Sequence, residues 1–104
     1  MPALKVGVMD EEIDQTPRGL SLRVSVGLRN GLHARPAARL AREAQRYSAD
    51  ILLISETGEV DAKSMLDILS LAPPADAELT LLANGPDARE ALQGLSRFFT
   101  NMQE

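Results

Sequence analysis

At 104 residues the chain is long enough for one domain with a modest core. Hydrophobic residues make up 44% but aromatics only 3%, so that core must be built from Leu, Val, Ile, Ala and Met. With no cysteine and a single histidine, disulfides, thiol catalysis and thiolate or histidine-cluster metal sites are excluded; the formal charge of −4 argues against a general nucleic-acid binder.

No apolar run approaches the ~18 residues of a membrane span, and the first residues lack the apolar stretch of a signal peptide. A cytoplasmic protein without membrane insertion is expected. Residues 1–18 show weak alternation at Val6 and Val8, then an acidic cluster at Asp10, Glu11, Glu12 and Asp14. They read as an N-terminal extension, a flexible tail in preference to a short added strand, with the folded domain over 19–104.

From Leu20 the pattern is firm. Leu20, Leu22, Val24, Val26 and Leu28 are apolar at period two, which predicts a strand with one buried face. The turn-like Asn30-Gly31 pair follows, and then Leu32-His33-Ala34-Arg35-Pro36, in which the proline suits the first turn of a helix. His33 is thereby placed where backbone N–H groups lack intrahelical partners and the helix dipole is positive, with the charge of Arg35 two residues on. That is a seat for a dianion such as phosphate, and a neutral imidazole there offers a lone pair to an electrophilic phosphorus. The local chemistry points to a histidine that accepts a phosphoryl group, against the plainer alternative of a surface histidine near a helix cap.

The first helix is predicted from Ala34 or Arg35 to Arg46, with Ala37, Leu40, Ala41, Ala44 and Tyr47 as its apolar face. Arg35, Arg39, Arg42 and Arg46 fall within about 60° of arc on the opposite side at 3.6 residues per turn. They form either a solvated face or a docking strip, for which the planar fork of arginine suits carboxylate and phosphate partners. Ile51–Ile54 and Val60–Ala62 predict a hairpin about the turn Glu56-Thr57-Gly58-Glu59. Ser64 with Asp67 reads as a capping box that opens a short helix to Leu71, and Met65, Leu66, Ile68, Leu69 and Leu71 make that helix apolar nearly all round. A domain this small cannot bury all of them, so an exposed docking patch competes with ordinary leftover exposure. Ala72–Asp76 is a loop. Leu79, Leu81 and Ala83 alternate as a fourth strand, and Asp87 caps a last helix striped by Ala88, Ala91, Leu92, Leu95, Phe98, Phe99 and Met102. The order β-α-β-β-α-β-α predicts an α+β domain, a four-stranded sheet with three helices on one face.

Gly31-Leu32-His33-Ala34-Arg35-Pro36-Ala37 resembles the active-centre signature of HPr, the histidine-containing phosphocarrier of the phosphoenolpyruvate-dependent sugar phosphotransferase system. The resemblance extends from about Leu20 to Met102, and Lys63-Ser64-Met65-Leu66 resembles the surroundings of that family's regulatory serine. It implies an HPr-like open-faced sandwich with an antiparallel sheet. It also implies phosphorylation of His33 on Nδ1 by enzyme I, phosphate binding by Arg35, and onward transfer to EIIA-type sugar-specific components. Ser64 would match the serine modified by HPr kinase, and Met65, Leu66 and Leu69 would form apolar docking surface, with Arg39, Arg42 and Arg46 alongside. Such a carrier is a monomeric relay and not an enzyme in the strict sense; its only prosthetic state is a covalent phosphohistidine, with no metal and no cofactor. Two departures stand out. Asp67 lies one turn from Ser64, where its carboxylate would repel a phosphate. Ala72 and Asp76 occupy loop positions where the family commonly has glycine, so altered loop geometry is expected. The runner-up function is a regulatory protein-binding module of the same fold acting through the apolar patch.

Overall fold

The alternating apolar stretches do become strands, and their register fixes which face is buried. In the computed structural model, which describes residues 12–29 and 31–102, the elements run β1 (Asp14–Thr16), β2 (Gly19–Ser25), α1 (Ala34–Ala44), β3 (Asp50–Ser55), β4 (Gly58–Asp61), α2 (Met65–Leu71), β5 (Glu78–Asn84) and α3 (Ala88–Asn101). The strands lie in the order β1-β2-β5-β3-β4, and every neighbouring pair is antiparallel. Leu22 faces Leu81, which faces Leu53, and all three are buried, so one apolar row crosses the middle of the sheet. α3 packs on β2 and β5, α2 on β4, and α1 lies against both other helices. The three helices thus cover one face in an open-faced α+β sandwich.

The sheet has five strands where four were expected. The fifth comes from the N-terminal stretch: Asp14, Gln15 and Thr16 pair with Ser21, Leu20 and Gly19, and Ile13 just before them is buried in the core. Ile13 is the lone large apolar side chain between Asp10 and Leu20, too isolated for any periodicity to reveal. At the other end, β2 stops at Ser25 although the alternation continues to Leu28. Gly27 takes a left-handed φ of 63°, and the N–H groups of Val26 and Gly27 turn to the carbonyls of Ala77 and Ala75. α1 also ends earlier than Arg46. Arg46 and Tyr47 donate to the carbonyls of Glu43 and Ala44, three residues back, so the last turn tightens and leaves the α-helix. The hairpin turn is only Glu56-Thr57, and Gly58 and Glu59 already belong to β4.

The helix starts are where the sequence places them, but their side chains differ from expectation. Ser64 Oγ accepts the N–H of Asp67 at 3.2 Å, while the N–H of Ser64 goes to the Asp61 carbonyl, so half of the capping box is made. Asp87 occupies the N-cap of α3 without capping it. Its carboxylate accepts the N–H groups of Ser48 and Ala49 at 2.9 and 2.8 Å, tying the start of α3 to the chain just past α1. No described helix is long and apolar enough to cross a membrane.

Candidate phosphoryl-acceptor site

The loop from Val26 to His33 is anchored by alternate burial. Leu28 and Leu32 are each 3% exposed, while Arg29 and His33 face solvent. Gly31, at φ 71°, is held by the next loop: a Cβ on it would lie 2.5 Å from the Pro73 carbonyl oxygen, so only glycine fits this approach. The same carbonyl accepts the Leu32 N–H at 3.2 Å. The segment after α2 therefore forms the floor of the turn that presents the histidine. The expected change of geometry in that segment is absent in one respect: Ala72 closes α2 in the left-handed conformation (φ 51°, ψ 53°) that glycine would adopt there.

His33 is the N-cap of α1 with an extended backbone (φ −88°, ψ −167°), and its ring makes no capping hydrogen bond. Among the described residues it is held by its main chain alone. Its N–H donates to the Gly31 carbonyl at 3.0 Å, and its carbonyl accepts the Ala37 N–H at 2.9 Å. Beyond it, Ala34 and Arg35 have N–H groups without a backbone acceptor among the described residues, and Pro36 has none to satisfy. There is no acidic residue in this first turn, and the exposed Arg35 adds a guanidinium. An exposed imidazole, two unpaired donors and a cation at a helix N-terminus together suit an incoming phosphoryl group.

The remaining candidates are distributed by the packing of α2 on α1. The Gln45 side chain donates to the Lys63 carbonyl and Lys63 Nζ to the Tyr47 carbonyl, while Leu32 meets Pro73. α2 thus runs antiparallel to α1, with its C-terminal end beside His33 and Ser64 at the far end, about 10 Å away along a seven-residue helix. Leu66 is 76% exposed, whereas Met65 and Leu69 are partly buried against the core, so the apolar patch rests mainly on Leu66. Arg39 and Arg42 are exposed on α1; Arg46 lies past its end, with its guanidinium 3.3 Å from both carboxylate oxygens of Glu43. The positioning role of Pro73 was invisible in the sequence, because a backbone carbonyl acting across 40 residues leaves no compositional mark.

This geometry agrees with the comparisons. Residues 20–101 match the PTS-HPr family, described as the PTS HPr component phosphorylation site. The chain belongs to the HPr family. Among its relatives, the HPr-like protein Crh of Bacillus subtilis is 42% identical over 76 residues, covering 73% of this chain and 89% of Crh. The crystal structure of phosphocarrier protein HPr from Bacillus anthracis str. Ames superposes with a TM-score of 0.71 at 44% identity, covering 75% of this chain and 93% of that one. An HPr dimer from Thermoanaerobacter tengcongensis superposes with a TM-score of 0.61 at 33% identity, covering 78% and 97%. The HPr match begins at Leu20, so β1 lies outside it.

Proposed function

We propose that the protein is a phosphoryl relay in which His33 accepts a phosphoryl group from phospho-enzyme I and passes it to EIIA-type sugar-specific components. The observation that carries this is the His33 ring, exposed and without capping duty, beside Arg35 and two N–H groups that have no acceptor among the described residues. A ring nitrogen of His33 bonds to phosphorus as the bond from phosphorus to enzyme I breaks and the electron pair returns to enzyme I. Arg35 and the N–H groups take up the charge of the arriving group. The group is then held covalently, so the relay needs neither metal nor cofactor, works in the cytoplasm with its donor, and turns over no substrate alone. Arg39, Arg42 and Arg46 steer acidic partner faces, and Leu66 with the edges of Met65 and Leu69 supplies apolar contact.

In the same proposal the chain acts as a monomer, because β1 occupies the outer edge of β2. Ser64 serves as a helix cap; a phosphate on it, added by HPr kinase, would face the Asp67 carboxylate and be repelled by it. A second reading, a regulatory binding module using the Leu66 patch, draws support from the identity to Crh. His33 with Arg35 weighs against it, since such a module needs no nucleophile.

Incubation with enzyme I and phosphoenolpyruvate should add one phosphoryl group by intact mass, labile in acid and stable in base. His33→Ala should keep its fold and take up none. Uptake by that variant, or no uptake by the native chain alongside intact partner binding, would move the function to the regulatory module.

A further inference from the structure

α1 and α3 also run antiparallel, because the Asp87 carboxylate fastens the start of α3 to Ser48 and Ala49 just past α1. Between them lies a cleft of about 360 Å³, open to solvent along one side. Arg39 and Arg46 stand on one wall and Arg97 on the other, with Tyr47, Phe98 and Met102 between them. Among the described residues, the one carboxylate lining it, Glu43, is engaged by Arg46, and neither Arg39 nor Arg97 forms an ion pair. A protein of net charge −4 thus carries a cationic trough.

Its floor is built with some care. Gly94 lies buried in mid-helix, where glycine costs about 1 kcal/mol relative to alanine. A Cβ at Gly94 would fall on the Tyr47 hydroxyl, so the glycine leaves the notch into which the ring of Tyr47 is laid. Phe98 is fixed edge-on against the buried Phe99, with centroids 5.6 Å apart and planes at 90°. Tyr47, Phe98 and Met102 remain only partly buried, so an apolar surface stays open beneath the guanidinium groups.

Small-molecule sites enclose some 70–90% of their ligand, which an open trough does not do. An apolar floor is also wasted on a bare phosphate. Guanidinium forks above aromatic and thioether surface suit carboxylates flanking a ring on an extended chain. We propose that the α1–α3 cleft docks an acidic, aromatic-bearing segment of a partner protein, its carboxylates held by Arg39 and Arg97 and its ring laid on Tyr47 and Phe98. Arg39 is about 9 Å along α1 from His33, within the ~800 Å² that one partner covers in an ordinary interface. The cleft thereby gives an acidic partner of the phosphoryl relay a second foothold beside the Leu66 patch. The proposal rests on that relay for its biological setting only; the binding itself is measured on unphosphorylated protein, where the fate of His33 plays no part.

The test is an NMR titration of the full chain with a capped Glu-Glu-Phe-Glu-Glu peptide. Saturable shifts should cluster at Tyr47, Arg97, Phe98 and Met102, and the exposed substitution Arg97→Glu should weaken binding by about tenfold. The matching glutamine peptide should give no such shifts. The proposal is overturned by shifts centred on Leu66, by an equal response to the glutamine peptide or to inorganic phosphate alone, by unchanged affinity in Arg97→Glu, or by no response.

Discussion

Ala72 is the one described residue other than glycine with a positive φ, and it sits directly before the loop that supports His33. A Cβ in the left-handed region costs roughly 1–2 kcal/mol, whereas glycine in its place loses about 0.4–1 kcal/mol more on folding through the greater freedom of the unfolded chain. Ala72→Gly should therefore stabilise the protein by up to ~1.6 kcal/mol, read as a higher urea midpoint at unchanged slope. A lower midpoint would mean that the αL conformation is strain-free here. Gly31 shows the opposite case across the same contact, since the Pro73 carbonyl leaves no room for a side chain. At this scale the sequence was partly legible. The placement of His33 and Arg35 at a helix start could be read from residue type; conformation imposed by a neighbour 40 residues away could not.

At the scale of elements, the three helices begin in three ways: with a ring that caps nothing, with a serine that caps, and with an aspartate turned outward. Residue type located all three starts. It could not say what Asp87 would bond, because the N–H groups of Ser48 and Ala49 compete for the carboxylate only once the chain has folded. Their hydrogen bonds, that of Ser48 foremost, hold Asp87 below the ordinary carboxylate value of 3.8, against a smaller cost of partial desolvation. A depressed folded value means that the unfolded chain takes up the proton first. The Asp87 contribution is thus complete above the unfolded value and is lost as pH falls through the folded one. Asp87→Asn should unfold at lower denaturant than the native chain at pH 7, and the gap should close only below the ordinary carboxylate value. A gap constant down to full protonation would assign the role of Asp87 to shape alone. Element ends were less legible for related reasons: the left-handed Gly27 ends β2 early, and a tightened last turn ends α1 before Arg46.

Taken whole, the sheet has two edge strands among the described residues, and both are short and charged. β1 is three residues long and carries Asp14; β4 is four residues long and carries Glu59 and Asp61. Such edges discourage strand addition between copies. β1 covers the longer, seven-residue β2, and the turn after it is clasped by Arg18, whose guanidinium makes a two-pronged bond of 2.9 and 2.8 Å to Glu59. Removing residues 1–18 should uncover the β2 edge and the place of Ile13, so the shortened chain should self-associate more strongly than the full chain, as read by sedimentation. A monomer after truncation would leave β1 without this protective role. Strand order and edge cover lay beyond sequence patterning, since both depend on pairings between distant segments, whereas the α+β composition followed from periodicity alone. The backbone-only seating of His33 has a consequence of another kind. Shape and reactivity are separable here: the imidazole can be exchanged while the hydrogen bonds that shape the turn among the described residues are all kept. A variant with another residue at position 33 should therefore lose the proposed phosphoryl chemistry while keeping the turn and whatever recognition surface the turn supports.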